Sequence, residues 1–380
     1  MRITIVIAGL GGGGAERVAV NLANAWSIRG YTSTLLTISQ NAIPPAYKVD
    51  DGVNLRDIGW PRRTRDYELN AQAAAPIMRG FYANDANILT TDLPMLAALR
   101  FAILKTEPDV VVSFITQTNV RVLSALYESK VPVIMNEVSD ARRLYIRDWT
   151  MLRERFYRHA AHLVAPDPLI AEWFTAHGIR ATSIHNPLER PVTPIPTNRT
   201  ARKRVITLSR MSAEKRVEWI VRAFAAVAER YPDWDLEIYG NGPQRNFLEH
   251  LAEDHAPPGR IRICGFSREA FSVLAGAEIY VSASWIEGFG NSIWEALACG
   301  VPVIAIDAGP SIARLVRHEV DGLVVRDDSV RGLTAALERL MKNEDERTRF
   351  ASNAPDVVER FSMQAALQQW DELLSLFHTR

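Results

Sequence analysis

The chain has 380 residues, 47% of them hydrophobic and 23% charged, with 44 basic side chains against 44 acidic ones. That length and balance predict two packed domains and exclude a disordered or collagen-like chain. Charge neutrality removes any global reason to bind nucleic acid. The two cysteines, Cys264 and Cys299, lie outside any Cys-x-x-Cys pattern, which excludes a disulfide scaffold; both are expected to be small buried apolar residues in a reducing compartment.

The opening stretch MRITIVIAGLGGGG has one Arg and a short apolar run that gives way to glycines. It lacks the long apolar core and small-residue cleavage site of a secretion signal and reads as a first strand, 3–8. No stretch approaches the ~20 continuous apolar residues of a bilayer span, so any membrane contact is expected to be peripheral. Gly9, Gly11 and Gly14 match the spacing of a dinucleotide fingerprint, between this strand and a helix over 15–30. The acid that should hold the ribose is missing. The second strand, TSTLLTI (32–38), runs into Ser39 and Gln40, and the next acid is Asp50. A nicotinamide-dependent oxidoreductase is therefore the weaker reading. The glycines remain either as backbone N–H donors for an anion at a helix N-terminus or as a plain flexible turn.

Residues 40–90 are polar and carry Pro44, Pro45, Pro61 and Pro76; loops with a short helix are expected. DVVVSF (109–114) and VPVIMN (131–136) resume the pattern of interior strands in a parallel sheet. Between 140 and 159, Arg142, Arg143, Arg147, Arg153, Arg155 and Arg158 face only Asp140, Asp148 and Glu154, interleaved with Leu144, Tyr145, Trp149, Leu152, Phe156 and Tyr157. Such a helix suits an anionic membrane surface, the grip of an acceptor's phosphate by residues such as Arg142 and Arg143, or a salt-bridged protein surface. No recognised nucleic-acid module accompanies it.

NPLERPVTPIPTNRTARK (186–203) has four prolines and no apolar period, and reads as a hinge. Beyond it, strands at 204–209, 235–240, 260–265, 278–283, 301–306 and 322–325 alternate with helices at 215–230, 243–254 and 291–299, followed by helices to the end. The expected fold is α/β: two doubly wound, Rossmann-like domains facing a central cleft, with ligands at the carboxyl ends of the strands. The expected boundaries are 1–186, a hinge over 187–203, 204–361, and a C-terminal helix (362–380) packing back on the first domain.

Three motifs in the second half invite chemistry. In SRMSAEKR (209–216), Arg210 and Lys215 stand at the ligand edge of a strand. There, a forked guanidinium and a point charge can neutralise a diphosphate. In WIEGFGNSIWEALACG (285–300), Gly288 and Gly290 allow close approach to a helix start at Asn291 and Ser292, which suits a phosphate. Glu287 precedes that turn. Glu295 falls on a mostly apolar helix, where ribose or sugar hydroxyls would satisfy it. In DWD, Asp233 and Asp235 begin a strand at the opposite edge and read as structural; no metal site is expected.

Taken in order, these pieces resemble the retaining glycosyltransferases of the GT-B fold, glycosyltransferase family 4. The carriers are GGGGAERVAVNLA, SRMSAEK, YGNGP (239–243), the Glu287 to Glu295 pair within EGFGNSIWEALACGVPVIA, and AGPSIARLVRHEVDGLVV. The stretches VSFITQTNVRVLSAL and IMNEVSDARR resemble the branch that builds bacterial surface polysaccharides and lipid-linked glycans. The resemblance implies that Glu295 binds donor ribose, Glu287 the transferred sugar, and Arg210 and Lys215 the diphosphate. It places Phe289, Gly290 and Asn291 at the phosphates or sugar, and Gly240 with Cys264, Gly265 and Phe266 around the base. It sets Gly12, Gly13 and Gly14 beside the reacting groups. Several members carry a His after the Glu that ends a first-domain strand; here Val138 follows Glu137, and Asn136, Glu137 or Asn119 is expected to substitute. The implied donor is a UDP-sugar, with GDP-mannose as the alternative, and no further cofactor is required. The implied acceptor is a lipid-linked or polysaccharide saccharide. The implied location is the cytoplasm, with peripheral contact at the inner membrane through 142–158.

Overall fold

The computed structural model of the protein describes residues 1–39, 44–60, 71–80, 86–140, 142–143, 147–191 and 202–377, with the side chains of 71–73, 86–91 and 147–148 left aside. Most of the expected hinge (192–201), together with Leu144 and Tyr145 of the basic stretch, lies outside the described residues. The chain divides into two compact units: Met1–Pro187 with Met363–Arg380, and Leu188–Ser362.

The first unit is built on a parallel sheet of seven strands: β1 (Arg2–Ile7), β2 (Thr32–Thr37), β3 (Asn54–Asp57), β4 (Val110–Phe114), β5 (Val133–Asn136), β6 (His162–Ala165) and β7 (Ala181–Ser183). Their order is β3-β2-β1-β4-β5-β6-β7. Its helices are α1 (Gly14–Ile28), α2 (Ala71–Arg79), α3 (Ala86–Leu104), α4 (Thr116–Ala125), α5 (Arg147–Phe156) and α6 (Pro168–Ala176). The interior strands are apolar on both sides because helices cover both faces. Side chains alternate across the strands. Ile3, Ile5, Ile7, Val110, Val112 and Ile134 pack toward α1, while Val6, Val111, Val133 and Met135 pack toward the other helices.

The second unit holds a parallel sheet of six strands: β8 (Lys203–Leu208), β9 (Trp234–Tyr239), β10 (Ile261–Gly265), β11 (Ile279–Ser282), β12 (Val303–Ile306) and β13 (Gly322–Val325). The order is β10-β9-β8-β11-β12-β13. The helices are α7 (Val217–Ala228), α8 (Arg245–His255), α9 (Ala270–Leu274), α10 (Asn291–Ala298), α11 (Pro310–Leu315), α12 (Val330–Lys342), α13 (Glu344–Asn353) and α14 (Val357–Arg360). The last helix, α15 (Met363–Ser375), belongs to the first unit, where Trp370 meets Trp26 edge-on at 5.6 Å.

In each sheet the strand order reverses direction once, between β1 and β4 and between β8 and β11. Connections leave such a pair toward opposite sides, so the loops after those strands part and leave a crevice for a ligand. Four differences from the sequence reading stand out. The polar region 40–90, read as loops with a short helix, holds a short helix, α2, with Pro76 inside it, but also the strand β3 and the start of the longer helix α3, which carries Pro94. The short strands β6 and β7 show no pattern of their own and complete the first sheet. Leu188 is buried in a core of the second unit, so the chain enters that unit ahead of most of the expected hinge. Cys264 is exposed, not buried, because it lies on the edge strand β10, while Cys299 is partly buried. Among the described residues, no helix is long and apolar enough to cross a membrane.

Candidate functional site

The switch point of the second sheet brings two of the expected residues into contact. Lys215 closes a 3₁₀ turn, Ala213–Lys215, in the loop after β8, and Glu287 lies in the loop after β11. Lys215 Nζ donates to Glu287 Oε1 at 2.5 Å, with 23% and 15% of the two side chains exposed. The loops are also tied together by bonds that do not involve these two side chains. The Trp285 N–H donates to Glu214 O at 3.1 Å, the Glu287 N–H to Ala308 O at 3.3 Å, and the Ser311 hydroxyl to Gly288 O. Arg210 is exposed in the same loop as Lys215. Burial raises the Glu214 carboxyl, but the Ser212 hydroxyl at 2.6 Å and the charges of Lys215 and Arg210 outweigh it and hold it below the usual carboxylate range.

Gly290 caps α10 with φ 94°, a left-handed conformation suited to glycine. The helix α10 thus starts at Asn291 and Ser292 directly after this turn. Beneath it stands Tyr280, wholly buried on β11, donating to Ser292 Oγ at 2.7 Å and to Leu208 O at 3.2 Å. Burial, with the nearby Glu287 charge, keeps its phenol well above the usual range, so it stays a hydroxyl donor. The sequence reading missed Tyr280. Its signal is a tyrosine in a central apolar strand, where the hydroxyl needs a partner. Phe289 turns its ring into the core against Phe361, 5.6 Å away, leaving its backbone toward the loop. Glu295 is buried within α10 and already engaged in the fold.

The ends of β9 and β10 bring Gly240 and Gly265 together through a Gly240 N–H to Gly265 O bond of 2.8 Å. Cys264 and Phe266 are exposed beside them. Arg245 spans the same corner, with Nη1 3.3 Å from Asn241 Oδ1 and Nε 2.9 Å from Glu249 Oε1. At the opposite end of β9, Asp235 is buried and shared by Arg202, Arg260 and Arg262, an ion-pair hub with no carboxylate oxygen to spare for a metal. Among the described residues no cluster of His, Cys and acids is placed to hold a metal ion.

In the first unit the glycine loop departs from expectation. Gly12 and Gly13 do not present open N–H groups, because Glu16 Oε2 accepts from both, at 2.5 and 2.7 Å. This is the reach-back of a third-position glutamate to its helix cap. Gly14 is the first residue of α1, and Tyr47 donates to Gly12 O at 2.9 Å.

Asn119, Asn136 and Glu137 are buried at the carboxyl ends of β4 and β5. Glu137 accepts from Tyr157 at 2.6 Å and from Thr116 at 3.0 Å, and Asn119 reaches Tyr157 and Asn136 O. Burial raises the Glu137 carboxyl, opposed by these hydrogen bonds and the Arg153 charge. The side chains of Asn119 and Glu137, two of the three expected substitutes for the missing histidine, are thus engaged with Ser113, Thr116, Tyr157 and the Asn136 carbonyl. Next to them Ile115 has φ 73°, a strained conformation for a β-branched residue, at the first sheet's switch point.

The aromatic residues of the basic stretch also turn inward. Leu152, Phe156 and Tyr157 are in the core, and Arg153 is buried over the Trp173 ring. The helix buries its apolar stripe in its own domain, which leaves no aromatic face of those residues for a lipid surface. Arg142 is clasped by Asp140 at 2.8 and 2.9 Å; Arg143 and Arg158 are exposed.

Two tandem doubly wound α/β units, with the Lys215–Glu287 pair at the second switch point, define the architecture of a two-domain α/β protein. Residues 13–187 match the family model of the glycosyl transferase 4-like domain, and residues 192–357 that of glycosyl transferases group 1. The chain is a glycosyltransferase of the GT-B fold. It is 24% identical over 385 aligned positions to the lipopolysaccharide core biosynthesis glycosyltransferase LpsE of Rhizobium meliloti, covering 96% of each chain. Other relatives are longer: the chain spans 18% of an exopolysaccharide phosphotransferase of Streptomyces coelicolor, at 30% identity over 46% of its own length. Among solved structures it resembles TarM of S. aureus, in complex with fondaparinux, alpha-GlcNAc-glycerol and UDP (TM-score 0.79, 12% identity, all of both chains). It also resembles Anabaena HepE in complex with UDP and glucose (TM-score 0.76, 19% identity, 99% of both chains).

Proposed function

We propose that the protein transfers a sugar from a UDP-sugar, with retention at the anomeric carbon, to a saccharide acceptor carried on a lipid or a growing polysaccharide. The observation that carries this reading is the Lys215–Glu287 pair, which stands across the second switch point beside the start of α10. A diphosphate there meets Arg210, Lys215 and the backbone at Gly288–Ser292, while Glu287 takes sugar hydroxyls and Glu295 the ribose. Gly240, Cys264, Gly265 and Phe266 line the base. UDP as the nucleotude is supported by the UDP in both structural relatives, and a glycan acceptor by the role named for the Rhizobium relative.

As the bond from the anomeric carbon to the β-phosphate oxygen breaks, its electron pair stays on that oxygen. Arg210, Lys215 and the α10 start stabilise the growing charge. The acceptor oxygen bonds to the same face of the carbon, and its proton passes to the leaving phosphate oxygen. This needs neither a metal nor a strong protein base. The acceptor side falls to the first unit: Gly12–Gly14, the rim held by Asn119, Asn136 and Glu137, and Arg142 and Arg143. Peripheral contact with an anionic membrane, on the cytoplasmic face, would rest on charge at Arg143 and Arg158. The test is UDP release from UDP-sugars in the presence of lipid-linked saccharides, compared between wild type and Arg210→Ala. Equal turnover by the two would remove the diphosphate assignment.

A further inference from the structure

We infer that Glu287 gates the diphosphate subsite through Lys215, so that the site favours the intact donor over the spent nucleoside diphosphate. This deepens the donor-site reading above and rests on it. Without a ligand the Lys215 ammonium is neutralised by Glu287 at 2.5 Å, on side chains that are only partly exposed. Solvent screens such a pair incompletely, so an incoming phosphate must compete with the carboxylate for the same cation.

The backbone is already fixed. The Lys215 N–H donates to Ser212 O at 2.9 Å, and the Glu287 loop is tied to Glu214 and Ala308. Opening the pair therefore takes side-chain rotation alone. The other acid of the loop, Glu214, has its own donor in the Ser212 hydroxyl and does not replace Glu287 at Lys215.

The two ligands differ in what they return to Glu287. A nucleotide-sugar brings phosphate to Lys215 and hydroxyl donors to Glu287, so both halves of the broken pair regain partners. A bare nucleoside diphosphate brings phosphate only. Glu287 then keeps a charge with no donor, next to like charge, and an unmatched polar group near the interior is costly. Once the sugar has left, Glu287 reclaims Lys215 and weakens the hold on the product. Release of product limits turnover in many enzymes, so a carboxylate that weakens product binding has a use.

The experiment is calorimetric titration of UDP into the wild type, Glu287→Gln, Lys215→Ala and the double variant, with melting temperatures alongside. Glu287→Gln is expected to bind UDP about fivefold more tightly, the scale of releasing a partly exposed ion pair, while its turnover falls. In the Lys215→Ala background the same change is expected to shift UDP affinity by less than about twofold, because the effect passes through Lys215. If Glu287→Gln is poorly folded, Glu287→Asp, which withdraws the carboxylate by one methylene, must show tighter binding of the same sign. UDP binding equal to or weaker than wild type in a folded variant overturns the gate, as does a full gain without Lys215. Absence of UDP binding by the wild type overturns the donor-site reading itself.

Discussion

Gly240 runs so close beneath Ser209 that a Cβ on it would stand 1.9 Å from the Ser209 carbonyl oxygen. Its φ of 136° is also one that side-chain-bearing residues rarely adopt. Two residues on, Gly242 approaches Met211 O to 2.3 Å by the same measure, and Met211 exchanges backbone hydrogen bonds with Asn241 and Gln244, each 3.0 Å. The turn after β9 is a clasp on the loop that carries Arg210. Gly240→Ala is expected to cost about 3 kcal/mol through strain and overpacking, read from denaturant unfolding, and to lower turnover with it. Unchanged stability would mean that the clasp is loose.

Arg210→Ala and Lys215→Ala are each expected to lower turnover by roughly 10²–10³-fold, the scale of losing one charge-stabilising donor. Steady-state kinetics with a UDP-sugar reads this directly. Arg210→Lys is expected to recover only part of the loss, because a point charge replaces a forked donor.

The two thiols should separate by alkylation. Burial pushes the Cys299 thiol up to about 12, so iodoacetamide at pH 8 is expected to spare it in the folded protein. Cys264, although raised by partial burial, is exposed and should react first. UDP is expected to slow that reaction if the end of β10 lines the base. Protection absent at saturating UDP would move the base elsewhere.

Glu137 gives a pH dependence of defined sign. Burial raises its carboxyl in the folded state above the ordinary 4.5, so the folded protein holds this proton more tightly than the unfolded chain. That contribution to stability is full below about pH 4.5 and is lost as pH rises through the folded value. Glu137→Gln removes the titration and keeps an oxygen for Tyr157 or Thr116. The melting temperature of Glu137→Gln minus that of wild type should therefore increase with pH from 4 toward neutrality. A difference that falls with pH would contradict the assignment.

Much of this was legible in the residues. Apolar runs such as 109–114 and 301–306 are buried from both faces, which is why they stand out as strands without context. The pairing of Lys215 with Glu287 was not legible: 72 residues separate them, and only the β8–β11 crossover joins their loops. Likewise, Gly12 and Gly13 look like an open anion nest until Glu16 is seen to occupy it. The arginines and aromatics of 142–158 suggest a surface device because composition does not reveal which face of a helix turns inward. Helix α3 was hidden by Pro94, which local propensity counts against a helix and tertiary packing overrides, whereas a short helix such as α2 was expected between the prolines of 40–90.

The central claim, that the second unit binds the UDP of a nucleotide-sugar through the loops after β8 and β11, is tested most directly by a thermal-shift panel of UDP, GDP, ADP and NAD. UDP is expected to stabilise the protein most, by about 2.7 kcal/mol at a hundredfold excess over its dissociation constant, and to stabilise Lys215→Ala less at the same concentration. Stabilisation by NAD alone, or by UDP equally in wild type and Lys215→Ala, would contradict it.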